Sequence, residues 1–149
     1  MTANDVKYIV IHCSATKPTI DVGAVEIDQW HKAKGWAGIG YHFVIRRNGT
    51  IEPGRPLDQS HTPGWQIMQG AHVAGWNSQS VGICLIGGID DKGKPASNYT
   101  DEQWETLRYL VEVLRRIFPR AKAIGHTDLD PGKACPCFDV GEWSQILRA

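Results

Sequence analysis

The sequence predicts an α/β fold: a single domain over residues 1–149 with a central, mostly mixed β-sheet flanked by helices. Short runs of apolar, β-branched residues recur along the chain, as expected for strands that are buried on both faces. Segments with helical periodicity separate most of these runs, which is typical of parallel strands joined by crossover helices. Two of the runs are joined instead by a turn containing Asn48-Gly49, which predicts an antiparallel hairpin and therefore a mixed sheet.

The first strand is predicted at KYIVIHC (7–13), a continuous apolar run that ends in a histidine and a cysteine. A helix follows, in which apolar residues recur at helical spacing between Asp21, the expected N-cap, and Gly35, the expected end. The hairpin comes next, within YHFVIRRNGTIEPG (41–54). Residues 54–80 show no sustained period, and a connection of this length in a small domain is usually functional.

The C-terminal half is predicted to alternate strands and helices. Its clearest element is a helix at 101–118, because Thr100 and Gln103 form a capping box ahead of one apolar stripe. Asp139 and Glu142 are expected to form a second capping box. The other elements are expected as a strand at 80–88, a strand at 121–126 and a closing helix at 139–147.

Composition argues against several classes of partner. Sixteen Lys and Arg residues balance sixteen Asp and Glu residues, so no strong field attracts nucleic acid or anionic lipid. The first eighteen residues have no basic segment followed by a long apolar stretch. This predicts synthesis in the cytoplasm without a signal peptide, and no stable membrane association. Four cysteines in such a protein are expected to be buried, catalytic or metal-bound rather than paired.

Histidines stand at the ends of two predicted strands, His12 after YIVI and His126 after AKAIG. The stretch AIGHTDLDPGKACPCFD (123–139), expected to be non-helical because of its Pro and Gly content, then brings Cys135 and Cys137. Two histidines, one thiolate and a water form a known catalytic Zn²⁺ arrangement. The spacing of the two cysteines is tighter than is usual for paired zinc thiolates, so one is expected to bind rather than both. From spacing alone, the strand-end histidines fit simple hydrogen-bonded roles equally well, and other candidate ligands remain, namely His42, His61 and His72.

Two further side chains fit metal-assisted hydrolysis. Tyr41 stands at the head of a strand and Lys133 lies two residues before Cys135, so a phenol and an ammonium are available to orient a water or stabilise an oxyanion. From the residues alone, a surface tyrosine and a solvated lysine remain the alternative. A cysteine-protease site is less consistent, because no cysteine begins a helix after a glycine-rich turn. Cys13 and Cys84 lie within apolar strands and are interpreted as buried apolar residues.

Five segments together resemble one known family. They are IVIHCSATKP, QWHKAKGW, GYHFVIRRNGTIEPGR, GAHVAGWNSQSVGICLIGGIDDKGK and GHTDLDPGKACPCFD, and they follow one another along nearly the whole chain. The set is similar to the zinc-dependent N-acetylmuramoyl-L-alanine amidases of type 2, most of all to the small phage lysozymes of that family. The similarity extends to the peptidoglycan recognition proteins, and it implies the fold that these proteins share.

The resemblance also implies a role for individual residues. Zn²⁺ is the implied cofactor, Cys135 is the implied third ligand because it precedes a proline, and Cys137 is implied to be a non-ligand. The implied set is metal ligands His12, His126 and Cys135, catalytic residues Tyr41 and Lys133, and substrate-binding residues His72 and Asn77.

The activity that the resemblance implies is hydrolysis of the amide between N-acetylmuramic acid and L-alanine in bacterial peptidoglycan. A phage or prophage endolysin is expected, acting as a monomer on the cell wall after release, with residues 54–80, including Trp65 and Trp76, walling the substrate groove. The alternative is a non-catalytic peptidoglycan-binding module of the same fold. The resemblance associates that class with loss of a zinc ligand, whereas all three ligand positions are filled here. Nothing in the sequence supports a regulatory protein partner such as a polymerase.

Overall fold

The computed structural model describes residues 1–58 and 66–146. Its strands are β1 (Tyr8–Cys13), β2 (Phe43–Ile45), β3 (Ile51–Pro53), β4 (Leu57–Asp58), β5 (Gln66–Ile67), β6 (Ser80–Leu85) and β7 (Lys122–Gly125). Its α-helices are α1 (Ala24–Ala33), α2 (Asp101–Ile117), α3 (His126–Leu129) and α4 (Val140–Ile146). None of the helices in these described ranges is both long enough and apolar enough to cross a membrane.

The central sheet has five strands in the order β3-β2-β6-β1-β7. Strand β1 pairs in parallel with β6 on one side and with β7 on the other, and β2 also pairs in parallel with β6. Strand β3 lies antiparallel to β2, as the Asn-Gly turn predicts. The predicted mixed sheet is therefore confirmed, with β4 and β5 forming a small separate ribbon.

Helices cover both faces of the sheet. Ile9 and Ile11 of β1 pack on one face with the buried stripe of α2, which includes Leu107 and Leu114. On the other face, Ile27 of α1 packs with neighbouring strand residues. Full burial of each such aliphatic side chain contributes roughly 1.5–3 kcal/mol. Because successive residues of a strand point to opposite faces, His12 lies on the face away from α2.

The predicted capping box of α2 is present in the structure, together with one of the two hydrogen bonds of the box predicted for α4. Thr100 Oγ1 accepts a hydrogen bond from the Gln103 N–H at 3.1 Å, and Gln103 Oε1 accepts one from the Thr100 N–H at 2.9 Å. Asp139 Oδ1 accepts a hydrogen bond from the Glu142 N–H at 3.0 Å at the start of α4. Each such cap contributes about 1 kcal/mol, because it pairs a backbone N–H that the helix itself leaves free.

The prediction that Asp21 caps the first helix is wrong. Helix α1 begins at Ala24, and the Ala24 N–H donates to Glu52 Oε1 of β3 at 2.9 Å. A Cβ atom at Gly23 would lie 2.0 Å from that same oxygen, so the glycine gives the carboxylate room to reach the helix end. Asp21 instead forms an ion pair with Arg46 at 3.1 Å. The cap comes from a residue that is distant in sequence, which local pattern does not reveal.

The stretch 123–139 was expected to be wholly non-helical, and this is also wrong. One turn of helix, α3, begins directly at His126, and Asp128 Oδ2 accepts a hydrogen bond from the Gly125 N–H at 2.8 Å. An acidic side chain at the third helical position stabilises a helix start in this way. The turn fixes the direction in which the chain leaves β7, immediately beside the face of the sheet that carries His12.

Candidate metal centre

Adjacent parallel strands place His12 beside His126. Ile11 of β1 is paired with Gly125, the last residue of β7, so the residue that follows each of them is one of the two histidines. Their Nδ1 atoms lie 3.1 Å apart. The two strand-end histidines that the sequence singled out therefore share one site, although 114 positions separate them.

Cys135 completes a group of three ligand atoms. One atom each of His12, His126 and Cys135 lies within 4.8 Å of the others, and this is the one such group among residues 1–58 and 66–146. Tetrahedral Zn²⁺ holds nitrogen ligands at 2.0–2.1 Å, which places two of them about 3.3–3.4 Å apart, close to the distance seen here. Three protein ligands with a fourth position open is the pattern of catalytic rather than structural zinc. The donor set therefore fits zinc.

Three hydrogen bonds hold the Cys135 loop against the sheet. The Cys13 N–H donates to Cys135 Sγ at 2.9 Å, and the Thr127 N–H donates to the Cys135 carbonyl at 3.0 Å. The buried Tyr99 hydroxyl donates to the Pro136 carbonyl at 2.6 Å. A backbone N–H aimed at the sulfur favours the thiolate that a metal ligand requires.

Cys137 faces a different environment. Its Sγ donates to the Gly88 carbonyl at 3.3 Å, and it does not belong to the group of three ligand atoms. The irregular backbone of this loop, in which Cys137 has a φ of 72°, thus directs the Cys135 sulfur to the histidines and the Cys137 sulfur to the loop that follows β6.

Burial keeps the two candidate histidine ligands neutral. His12 is 1% exposed, and this burial, followed by the neighbouring His72 and His126, holds the pKa of His12 well below its usual value. Burial also lowers the pKa of His126. Because only a neutral imidazole offers a nitrogen lone pair, both rings are ready to bind metal at neutral pH.

Tyr41 flanks the group on the α1 side. Its ring centroid lies 5.0 Å from that of His12 and 5.5 Å from that of His31. Burial raises the pKa of the Tyr41 phenol well above its usual value. The hydroxyl therefore stays protonated at neutral pH, and it is suited to donate a hydrogen bond rather than to act as a base.

Lys133 lies in the groove beside His126. It is exposed and lines a cavity of about 380 Å³ together with His126, Asp130 and Trp36. Because His126 lines this cavity, a substrate bound in it would lie next to the candidate metal centre with an ammonium close by. Trp36 is 39% exposed and supplies the aromatic wall.

His72 and Asn77 form the remaining wall of this cavity. Asn77 Oδ1 accepts hydrogen bonds from the N–H groups of His72 and Val73, both at 2.9 Å, and so fixes the shape of the wall. Trp76, expected in the groove wall, packs edge-to-face on Tyr8 at 5.7 Å between ring centroids. Trp65 and His61 lie outside the described residues.

Sequence reasoning missed several parts of the site. Trp36 was not singled out as a groove residue, and the two small residues beside His72, Ser80 and Gly82, gave no signal because they sit in an apolar strand. His72 was expected at the groove, yet its Nδ1 also lies 2.8 Å from His12 Nε2. A period-of-two count along β6 places Ser80, Gly82 and Cys84 on the His12 face, but only pairing with β1 shows what they meet.

His42, the third candidate ligand from spacing, uses both ring nitrogens elsewhere. Its Nδ1 accepts a hydrogen bond from the Gly82 N–H at 3.0 Å, and its Nε2 donates to the Met68 carbonyl at 2.7 Å. Burial lowers the pKa of His42 to about 4, with the Met68 carbonyl opposing and the Arg55 charge adding to this shift. His42 therefore ties β2, β6 and the groove loop together as a neutral side chain.

This arrangement predicts acid-sensitive stability. The unfolded chain binds a proton at His42 below about pH 6.5, whereas the folded protein binds it only near pH 4, so stability falls as pH drops through this window. When the pH falls from 7 to 5, His42 is expected to lower the free energy of unfolding by about 2 kcal/mol. Denaturant unfolding of the wild type and of His42→Gln at both pH values measures this. Equal pH dependence in the two proteins would contradict it.

A His₂Cys group beside a groove on a mixed α/β sheet is a donor set that metal-dependent hydrolases use. Comparison with known proteins narrows the class. The family model described as N-acetylmuramoyl-L-alanine amidase matches residues 2–138. The chain therefore belongs to the N-acetylmuramoyl-L-alanine amidase family, and it is an enzyme of that class.

Individual relatives agree with this assignment. The chain is 50% identical over 133 residues to the endolysin of Enterobacteria phage K11, covering 89% of this chain and 82% of that protein. It is 38% identical over 91 residues to peptidoglycan-recognition protein SC2 of Drosophila melanogaster, covering 57% of this chain and 45% of that protein. The solved structure of the N-acetylmuramoyl-L-alanine amidase LysC from Clostridium intestinale URNW matches with a TM-score of 0.74 at 28% identity, covering 96% of this chain and 85% of LysC. The resemblance stated from the motifs is confirmed.

Proposed function

We propose that the protein is a zinc-dependent endolysin amidase that cleaves the amide between the lactyl group of N-acetylmuramic acid and L-alanine in bacterial peptidoglycan. The observation that carries the proposal is the His12–His126–Cys135 group, in which His12 is buried and His126 lines the groove. A non-catalytic binding module would not need three competent ligands. The relative from Enterobacteria phage K11 is itself an endolysin.

In this proposal His12 and His126 hold zinc as neutral imidazoles and Cys135 holds it as a thiolate. When bound, zinc supplies a Lewis acid that polarises the scissile carbonyl and lowers the pKa of a coordinated water from 15.7 to about 7. The Cys13 N–H, at 2.9 Å from the Cys135 sulfur, stabilises the negative charge on that ligand.

Tyr41 and Lys133 both act on the reacting bond. The Tyr41 hydroxyl, kept protonated by burial, orients the attacking water or the substrate carbonyl by donating a hydrogen bond. The Lys133 ammonium, at the edge of the groove, stabilises the oxyanion that forms when water adds to the carbonyl. The tetrahedral species then collapses: the proton lost by the attacking water passes to the departing nitrogen, the C–N bond breaks, and a carboxylate and the α-amino group of L-alanine are released.

The groove walls fix the position of the substrate. We propose that His72 and Asn77 border the bound muropeptide, and that residues 1–149 act as one amidase domain and as a monomer. The protein would be made in the cytoplasm and reach the wall from inside after release. The chain carries no net positive charge that would attract it to nucleic acid or to anionic membrane lipid.

The direct test is release of free L-alanine amino groups from purified peptidoglycan. Activity is expected to disappear when a chelator removes zinc and to return when zinc is added back, because the three ligands leave water unactivated without the metal. Metal content per chain is measured on the same samples. Amino-group release that resists a chelator, from protein shown to contain no zinc, would contradict the proposal.

A further inference from the structure

A chain of hydrogen bonds runs from the metal group into the protein interior. His12 Nε2 lies 2.8 Å from His72 Nδ1, and His72 Nε2 lies 3.3 Å from Ser80 Oγ. Ser80 Oγ in turn donates to the Trp76 carbonyl at 2.9 Å. The second and fourth members lie in the groove loop, whereas the first and third lie on the paired strands β1 and β6.

The carbonyl at the far end sets the direction of every bond. The Trp76 carbonyl accepts only, so it takes the single proton of the Ser80 hydroxyl. Ser80 Oγ must then accept from His72, which places the His72 proton on Nε2. A neutral His72 therefore has a bare Nδ1, and that atom accepts a proton from Nε2 of His12. The bare nitrogen of His12 is consequently Nδ1, the atom that faces His126 Nδ1.

We infer that His72 is a positioning residue, which fixes Nδ1 of His12 as the metal-binding nitrogen through a relay that ends at Ser80 and the Trp76 carbonyl. The inference rests on the proposed zinc site, and it gives His72 a role beyond bordering the groove. Histidine ligands hold metal best when their second nitrogen donates to a fixed acceptor, because this sets both the tautomer and the ring orientation.

The backbone around His72 is built to hold its ring. A Cβ atom at Gly82 of β6 would lie 2.8 Å from His72 Cγ and Nδ1, and one at Gly70 would lie 2.5 Å from His72 Cδ2. Contacts this short are not tolerated, so the ring occupies a slot that two glycines leave open. Asn77 closes the arrangement by holding the His72 backbone N–H. The imidazole thus cannot rotate freely away from His12.

The relay is tested by zinc affinity, measured in competition with a chromophoric chelator. His72→Leu fills the slot with an apolar side chain that offers His12 no hydrogen-bond acceptor. Zinc is expected to bind this variant about 10–100-fold more weakly. His72→Asn places its side-chain oxygen where Nδ1 stood and is expected to restore most of the affinity. Ser80→Ala removes only the tautomer constraint on His72 and is expected to cost less than about tenfold.

Ser144→Ala is the matched control. Ser144 is also a buried serine whose hydroxyl is hydrogen-bonded, in this case to Arg115 beside α4, away from the metal group. It is expected to leave zinc affinity unchanged. Circular dichroism checks that each variant is folded.

A spectroscopic measurement tests the relay without any variant. Ring ¹⁵N shifts of zinc-free wild-type protein are expected to show His12 protonated at Nε2 and bare at Nδ1, with His72 in the same tautomer. The opposite tautomer at His12, or unchanged zinc affinity in folded His72→Leu, overturns the inference. Failure of the wild type itself to bind zinc would count against the proposed function instead, and the ¹⁵N result would still decide the relay.

Discussion

Replacing Cys135 by alanine is expected to abolish stoichiometric zinc binding and to lower amidase activity at least about 10³-fold. The thiolate is one of three protein ligands, and zinc contributes several kcal/mol of transition-state stabilisation, each 1.4 kcal/mol of which is tenfold in rate. Zinc content per chain and initial rates on purified peptidoglycan measure the two effects. A Cys135→Ala protein with normal zinc content would show that another residue holds the metal.

Cys137→Ala is the control that the chain itself provides. The two cysteines lie on one loop two positions apart, but the Cys137 sulfur meets the Gly88 carbonyl rather than the histidines. Zinc content and activity are expected to stay within about threefold of the wild type, because loss of one weak sulfur hydrogen bond is a small perturbation. Loss of zinc in Cys137→Ala, with Cys135→Ala unaffected, would reverse the assignment of the two sulfurs.

Tyr41→Phe is expected to lower kcat about 10²–10⁴-fold while zinc affinity remains unchanged. The substitution removes only the phenol oxygen, whose proposed contact is with the reacting water or carbonyl, and positioned proton donors contribute on this scale. The ring that packs 5.0 Å from His12 is retained, so the ligand geometry is preserved. Steady-state rates and chelator competition on the same protein separate the two effects.

Tyr109→Phe serves as its control. Tyr109 lies on α2 and is 62% exposed, so removal of its hydroxyl is expected to change neither kcat nor zinc affinity. Full activity in Tyr41→Phe would mean that this tyrosine only packs against the site. A parallel loss of zinc in Tyr41→Phe would mean that it supports the ligands rather than the chemistry.

Local patterns in the sequence were enough for most of the fold. The strand at β1 follows from a continuous apolar run, and the start of α2 follows from the Thr100 capping box. Both features depend on residues a few positions apart, where backbone geometry dictates which side chains meet. The cap of α1 could not be predicted from local pattern, because the carboxylate that forms it belongs to Glu52 of β3, 28 positions from Ala24.

The candidate site was likewise predicted only in part from the sequence. Histidines at matching strand ends left a shared site and separate hydrogen-bonded roles equally open, and the parallel pairing of β1 with β7 shows that His12 and His126 meet. The motifs added Cys135, Tyr41 and Lys133 through family resemblance. What the residues alone left open was the choice between Cys135 and Cys137, and the use made of His42 and His72.

The sequence by itself determined the order and type of the main elements, the mixed character of the central sheet, and the kind of ligands available. Tertiary structure alone decided which sulfur faces the histidines, that Trp36 lines the groove, and that His72 meets His12 across 60 positions. The physical reason is the separation along the chain of the residues that interact. Periodicity and capping are set by bonds between near neighbours, whereas a metal site depends on distances of about 2–3 Å between atoms that only packing brings together.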